Sequence, residues 1–328
     1  MAEKNIVQTI HDTLHEEMKA DDRVVVLGED VGARGGVFRV TQGFLEEFGE
    51  QRVIDTPLAE SSIVGVAIGM ALHGLIPIPE IQFADFIHPA FDQIVSEAAR
   101  IRYRSNGDFG VPMVIRAPWG GGVHGALYHS QSIEGFYGHV PGLKVVIPAT
   151  PHDAKGLLRA AIRDPDPVMF LEHKKTYRLI KGEVPDEGYE VPIGKADVKR
   201  EGDDLTCVSY GLMLHHCLES AQKLQDDDGV SVEVVDVRTI APLDKETILE
   251  SVKKTGKAVV VYEDNRTYGP GAEIVATIAE EAMMDLDGPL VRVAGPDIPA
   301  MGFSSNIEHF YMPDVEKIHK AMKELAEF

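Results

Sequence analysis

The stretch "DTPLAESSIVGVAIGM" (Asp55–Met70) decides how the first half of the chain folds. A short apolar run, "VID" (Val53–Asp55), gives way to a helical pattern, and Glu60 stands at the junction. An acidic residue in the first turn of a helix is favoured by the helix dipole, which explains Glu60 without any function. The dipole does not explain Gly65 and Gly69, five and nine residues further on and inside the helix. Each costs about 1 kcal/mol there relative to alanine. Close contact with another helix or another subunit would account for both.

Outward from this stretch the change from strand to helix recurs. "RVVVLG" (Arg23–Gly28), "IPIPEIQ" (Ile76–Gln82), "PMVIRAP" (Pro112–Pro118), "KVVIPAT" (Lys144–Thr150) and "VMFLEH" (Val168–His173) read as buried strands. "SSIVGVAIGMALHG" (Ser61–Gly74), "PAFDQIVSEAARIRYRS" (Pro89–Ser105) and "HDAKGLLRAAIRD" (His152–Asp164) read as the helices between them. The alternation predicts an α/β fold with a parallel sheet covered on both faces. "LIKGEVPDEGYEVPIGK" (Leu179–Lys195) has no clear period and reads as a linker. The alternation then restarts at "DLTCVSYG" and closes in the helix "DVEKIHKAMKELAEF", a second and smaller α/β domain. The expected division is a first domain over 1–185, a linker and first strand over 186–202, and a second domain over 203–328.

Hydrophobic residues at 44% and charged residues at 26% are ordinary for a globular protein. A net charge of −21 argues against nucleic acid and permits a basic protein partner. No apolar run approaches the ~20 residues of a membrane span, and the acidic amphipathic start does not read as a signal peptide. Two cysteines are too few for a disulfide scaffold, so a cytoplasmic protein is expected.

In parallel α/β sheets, ligands sit beyond the carboxyl ends of the strands. That rule selects the loops after "RVVVLG", "VID", "IPEIQ" and "MVIRAP". "GEDVGARGG" (Gly28–Gly36) lacks the G-x-G-x-x-G spacing and reads as a flexible loop, not a dinucleotide site. "QFADF" (Gln82–Phe86) puts Phe86 beyond a strand end, as a core aromatic or as the wall for a flat ring. "APWGGGVHGALYHSQSIEGFYGHVPG" (Ala117–Gly142) carries His124, His129 and His139. His124 and His129 are off the i, i+4 spacing of helical metal ligands, and neither H-E-x-x-H nor G-x-S-x-G occurs.

Together with "VVVLGEDVGARGGVF", "RYRSNGD", "PGLKVVIPATPHDAKGLL" and "EVPIGKADVKREGDDLT", these pieces resemble the β subunits of thiamine-diphosphate-dependent 2-oxo acid dehydrogenases along essentially the whole chain. The likeness is nearest to the bacterial branched-chain type. The family's motif is Glu, four residues, Gly, an apolar residue, two residues, Gly and an apolar residue, matched by Glu60, Gly65, Val66, Gly69 and Met70. The resemblance implies a thiamine pyrimidine-binding domain followed by a transketolase-C-like domain. It implies an α subunit that holds the diphosphate and Mg2+ through a G-D-G motif, which this sequence lacks.

By the same resemblance, Glu60 bonds the pyrimidine nitrogen opposite the amino group. Phe86, where many relatives have tyrosine, packs on the ring, and Leu58 and Gln82 complete the cofactor-binding set. His129 matches the catalytic histidine. It is expected just before a helix starting near Ser130 or Ser132, whose N-terminus would keep the imidazole near neutral. His124 would line the channel, and His139 has no assigned role. Some relatives hold a structural K+ on loop oxygens, here matching Val111, Met113, Val114, Ala161, Asp164 and Asp166. The implied partners are the α subunit in an α2β2 assembly, and the lipoyl-bearing acyltransferase core with its peripheral-subunit-binding domain. The implied reaction is oxidative decarboxylation of a 2-oxo acid with acylation of the lipoyl group, 2-oxoisovalerate being expected ahead of pyruvate. The alternatives are a pyruvate or acetoin dehydrogenase β subunit and a noncatalytic scaffold, which would not need Glu60 and His129.

Overall fold

Strands follow the buried apolar runs, and the computed structural model describes residues 2–328. The chain divides into two units: residues up to Trp119 with Phe136–Ile193, and Gly120–Gly135 with Gly194–Phe328. The break at Ile193 and Gly194 lies inside the expected linker, whereas the transfer of Gly120–Gly135 to the second unit had no signal in the sequence.

In the first unit the strands are β1 (Ala2–Asn5), β2 (Val24–Gly28), β3 (Val53–Asp55), β4 (Ile76–Glu80), β5 (Val114–Trp119), β6 (Lys144–Val146), β7 (Val168–His173) and β8 (Lys181–Val184). The sheet runs β6-β7-β5-β4-β2-β3, and every pairing within that run is parallel. Strands β2, β5 and β7 are buried along their whole length, as strands covered on both faces must be. Helix Ile6–Ala20 packs on helix Pro151–Ile162. Ile6, Ile10, Leu14 and Met18, four residues apart, meet Leu157 and Leu158 in one core. Asn5 and Gln8 close a capping box at the start of the first of these helices.

Two features depart from the expectation. The stretch read as linker contains β8, which pairs antiparallel with β1. Its burial is that of an edge, with Lys181 and Glu183 exposed, so it shows no apolar run to detect. The expected helix over Pro89–Ser105 is a succession of short pieces: a 3-10 turn at His88–Ala90, a π turn at Gln93–Glu97, a 3-10 turn at Ala98–Arg100 and an α turn at Ile101–Arg104. Gln93, in the π turn, lies over Gly65, and a Cβ there would come 3.2 Å from its Oε1.

The second unit contains β9 (Asp197–Arg200), β10 (Leu205–Ser209), β11 (Val232–Asp236), β12 (Thr239–Ala241), β13 (Ala258–Asn265) and β14 (Val291–Gly295). Its sheet runs β14-β13-β10-β11-β9, parallel except for β9 against β11. Helices Gly211–Asp228 and Val315–Ala326 pack together beside it.

The first sheet is tied at its centre by charge. Arg116, fully buried on β5, donates through Nη1 to Glu80 on β4 at 2.6 Å, and through Nε and Nη2 to Glu172 on β7 at 2.6 and 2.8 Å. The Tyr177 hydroxyl adds a bond to Glu172 at 2.5 Å. Burial pushes the Glu80 carboxyl up, Arg116 pulls it down, and repulsion from Glu172 adds to the rise. Burial alone would lower Arg116, but Glu172 and then Glu80 carry it above its ordinary value. Removing one partner of such a set strands the others in a dry interior. Arg116→Met is therefore expected to lower the unfolding free energy by about 3–5 kcal/mol in denaturant titration. A change within about 0.5 kcal/mol, the range of an ordinary surface substitution, would contradict this role.

Candidate functional site

In the first unit the carboxyl ends of β2, β3 and β4 lead into Glu29 and Asp30, into Leu58 and Glu60, and into Gln82 and Phe86. Because β2 lies between β3 and β4, these three loops emerge side by side. Gly28 lets β2 approach β4 closely, since a Cβ there would meet the Glu80 carbonyl oxygen at 2.5 Å. Asp55 fastens the first loop by accepting the Gly32 N–H at 2.6 Å.

Glu60 is the first residue of helix Glu60–Leu72 and is half-buried. Gln82 donates through Nε2 to Asp30 Oδ2 at 3.4 Å. Phe86 is half-buried and meets Phe83 edge-on, with ring centroids 5.9 Å apart. Leu58 is 71% exposed. The helix shows an open side as well: Val66 is exposed, and a Cβ on Gly69 would meet nothing within 4 Å. The two glycines thus have different surroundings. Gly65 makes room for Gln93 of its own chain, whereas Gly69 faces open space.

Sequence reasoning missed Glu29. Burial raises its carboxyl, and repulsion from Asp30 and then Glu60 adds to the rise, so it shares an acidic cluster with Glu60. Its place just after β2 was the available signal, and the glycine-rich loop reading obscured it.

The part of the histidine loop that carries His124 and His129, Gly120–Gly135, belongs to the second unit, whereas His139 belongs to the first. A 3-10 turn, Ala126–Tyr128, ends at half-buried His129, whose N–H points to the Ala126 carbonyl at 3.5 Å. The next helix is Glu134–Gly138, not one beginning at Ser130 or Ser132, so the expected influence of a helix N-terminus on His129 falls away. The intervening Gln131–Ile133 has no regular secondary structure, and its polar atoms take part in anchoring the loop. Gly120 N–H donates to the Gln131 carbonyl at 3.2 Å and Ser132 Oγ to Glu263 at 3.3 Å.

Buried carboxylates hold the stem of the loop. Glu263 accepts the Gly121 N–H at 2.5 Å, and Glu134 accepts the Tyr210 hydroxyl at 2.9 Å. Burial and then repulsion from Asp264 hold Glu134 well above the usual carboxylate range. Asp264 is pushed up to about 6, by burial first and by Glu263 as well, against bonds from the Asn265 and Gly135 N–H groups.

Of the six positions matched to a K+ site, Val111, Met113 and Val114 lie just before and at the start of β5, and Ala161, Asp164 and Asp166 at the end of helix Pro151–Ile162 and in the turn after it. Val111, Met113, Val114 and Ala161 are buried. Val168 N–H donates to the Met113 carbonyl at 3.0 Å and Asp164 N–H to the Ala161 carbonyl at 3.3 Å. The Asp164 and Asp166 side chains are already paired, with Lys144 Nζ at 2.5 Å and Arg102 Nε at 2.5 Å. Among the described residues no group of three or more His, Cys, Asp or Glu side chains is arranged to hold a metal ion.

Two family models cover most of the chain: "Transketolase, pyrimidine binding domain" over residues 2–180 and "Transketolase, C-terminal domain" over residues 194–318. The 2-oxoisovalerate dehydrogenase subunit beta of Bacillus subtilis (strain 168) is 58% identical over 328 residues, covering 100% of both chains. The chain belongs to the β-subunit family of the 2-oxo acid dehydrogenases. The pyruvate dehydrogenase E1 component subunit beta of the same organism is 50% identical, again over 100% of both chains. A solved split-gene transketolase, an inactive β4 tetramer, shares the fold, with a TM-score of 0.80 at 23% identity and 98% of each chain covered.

In this 2-oxo acid dehydrogenase β chain the histidine loop therefore rests on carboxyl groups that ionise late. Asp264 has a folded pKa of about 6, above its ordinary 3.8, so the folded state binds the proton more tightly. Its contribution to stability is full below about pH 4 and is lost as pH rises to about 6. Asp264→Asn removes that dependence. The stability of the variant minus that of the wild-type chain is expected to climb between about pH 4 and 6 and to level off above. A flat difference across that interval in thermal melts would contradict the assignment.

Proposed function

We propose that this chain supplies the pyrimidine half of a thiamine diphosphate site completed by an α subunit. In an α2β2 assembly the site would serve oxidative decarboxylation of a branched-chain 2-oxo acid and acylation of a lipoyl group. The observation that carries the reading is the placement of a helix-leading carboxyl, Glu60, and an aromatic ring, Phe86, beyond the ends of the two strands that flank β2. An aminopyrimidine fits such a pair, having a ring nitrogen for a carboxyl group and a flat face for an aromatic. Leu58 and the open side of helix Glu60–Leu72 offer apolar surface for the α subunit, and the bare Gly69 would let another backbone approach.

When bound, the cofactor supplies a carbon nucleophile for the 2-oxo group. Glu60 would hold the proton shared with the pyrimidine nitrogen. Phe86 would fix the ring by its face, and Gln82, linked to Asp30, would close the polar side. His129, on a loop with a rigid stem, would move a proton at the substrate oxygen or at the lipoyl sulfur. The diphosphate and Mg2+ would belong to the α subunit. With Asp164 and Asp166 paired to cations, a K+ ion would rest on backbone oxygens of the segments around Val111, Met113, Val114 and Ala161.

The acyltransferase core is the further partner in this reading, with a net charge of −21 favouring a basic docking domain and a salt-sensitive encounter. A cytoplasmic location agrees with two buried free cysteines. The 58% relative carries the 2-oxoisovalerate name and the 50% relative the pyruvate name, which favours the branched-chain substrate over pyruvate.

The test is turnover by the enzyme reconstituted with its α subunit. Wild type should prefer 2-oxoisovalerate to pyruvate in kcat/KM, extra methyl groups in an apolar pocket supplying about 1–3 kcal/mol. Glu60→Gln should keep the fold and lower kcat about 10²–10⁴-fold, the cost of losing an acid–base group. Near-normal turnover by the variant would contradict the role of Glu60, and a preference for pyruvate would overturn the substrate.

A further inference from the structure

The stem of the histidine loop is anchored by Glu263 and Glu134, but its tip is held from a different element. Helix Ser305–Tyr311 carries Glu308, which is buried. Glu308 Oε1 accepts the Gly122 N–H at 2.9 Å and the His124 N–H at 3.1 Å, and its Oε2 lies 2.5 Å from His124 Nδ1. One buried carboxylate thus takes the backbone N–H groups of Gly122 and His124 and also meets the His124 ring, which is itself largely exposed.

We infer that Glu308 is a positioning residue: it clasps the Gly122–His124 backbone and thereby sets the place of His129. The inference rests on the function proposed above. The connection is direct packing. A Cβ on Gly125 would lie 2.5 Å from the His129 carbonyl oxygen and 2.8 Å from the His129 Cβ, so the backbone next to His124 abuts His129 itself. The held conformation is also one the loop would not adopt freely. His124 and Ala126 have φ of +56° and +58°, a region that side chains other than glycine enter at a cost. Such a conformation persists when its surroundings over-determine it, and Glu308 supplies that constraint through the flanking amides. Without the carboxylate, both N–H groups lose their acceptor and the loop relaxes. His129 then leaves the geometry that proton transfer requires, while the stem bonds to Glu263 stay in place.

The test uses the assembled α2β2 enzyme with Glu308→Ala and Glu308→Gln. Alanine removes the acceptor, whereas glutamine keeps a carbonyl oxygen for the Gly122 and His124 N–H groups. Glu308→Ala should lower kcat for lipoyl acylation about 10–100-fold, the scale of a small misplacement of a catalytic group. KM for the 2-oxo acid and the melting temperature should stay close to wild type. Glu308→Gln should recover most of the loss. Hydrogen exchange at Gly122 and His124 should quicken in the alanine variant and return towards wild type in the glutamine one.

Unchanged exchange in Glu308→Ala would overturn the clasp. Faster exchange with wild-type turnover would overturn its role in placing His129. Equal losses in both variants together with a lowered melting temperature would make Glu308 merely structural. A wild-type assembly inactive on every 2-oxo acid would overturn the functional reading instead, a result the exchange data do not depend on.

Discussion

The guanidinium of Arg116, buried between two carboxylates, is the constraint on which the first unit depends. It joins β4, β5 and β7 near their carboxyl ends, where the functional loops leave the sheet. The arrangement carries one more negative than positive charge, and Tyr177 relieves part of it by donating to Glu172. Such a set tolerates no missing member, because each group was taken out of water on the condition that the others meet it. The same carboxylate that ties the strands also crowds the first loop: a Cβ on Gly36 would come 3.1 Å from Glu80 Oε1. Sheet centre and loop geometry are therefore set by one cluster.

The second unit uses carboxylates to a different end. Glu134, Glu263 and Glu308 receive hydroxyl and backbone N–H donors, and they hold a glycine-rich loop that would otherwise have many conformations. Glycine makes the loop able to adopt its shape, and buried acceptors make it keep that shape. Burial is what keeps Glu134 and Asp264 protonated to higher pH than ordinary carboxyl groups, so the support they give is full in acid and weakens as pH rises.

The elements with long buried runs were legible in the sequence. "VMFLEH" is β7 from Val168 to His173, and "DTPLAESSIVGVAIGM" contains β3 and the start of helix Glu60–Leu72. Glu60, Gln82 and Phe86 could be placed because parallel strands point their carboxyl ends at ligands. Three things were not legible. Strand β8 has an edge pattern with no apolar period. The π turn at Gln93–Glu97 puts the Gln93 side chain over Gly65, a contact that no local spacing announces. The anchors Glu263 and Glu308 lie well over a hundred residues from the loop they hold, and no local spacing announces such a bond. The helix expected at Ser130 or Ser132 begins instead at Glu134, and Ser132 is bonded to the distant Glu263.

In the proposed function this chain holds only part of a cofactor site, and the remaining half arrives with the α subunit. Calorimetric titration of thiamine diphosphate and Mg2+ into the purified β chain, then into the β chain with its α subunit, tests it most directly. No tight binding to β alone is expected, and tight, Mg2+-dependent binding to the assembly. Tight Mg2+-dependent binding by the β chain alone would contradict it.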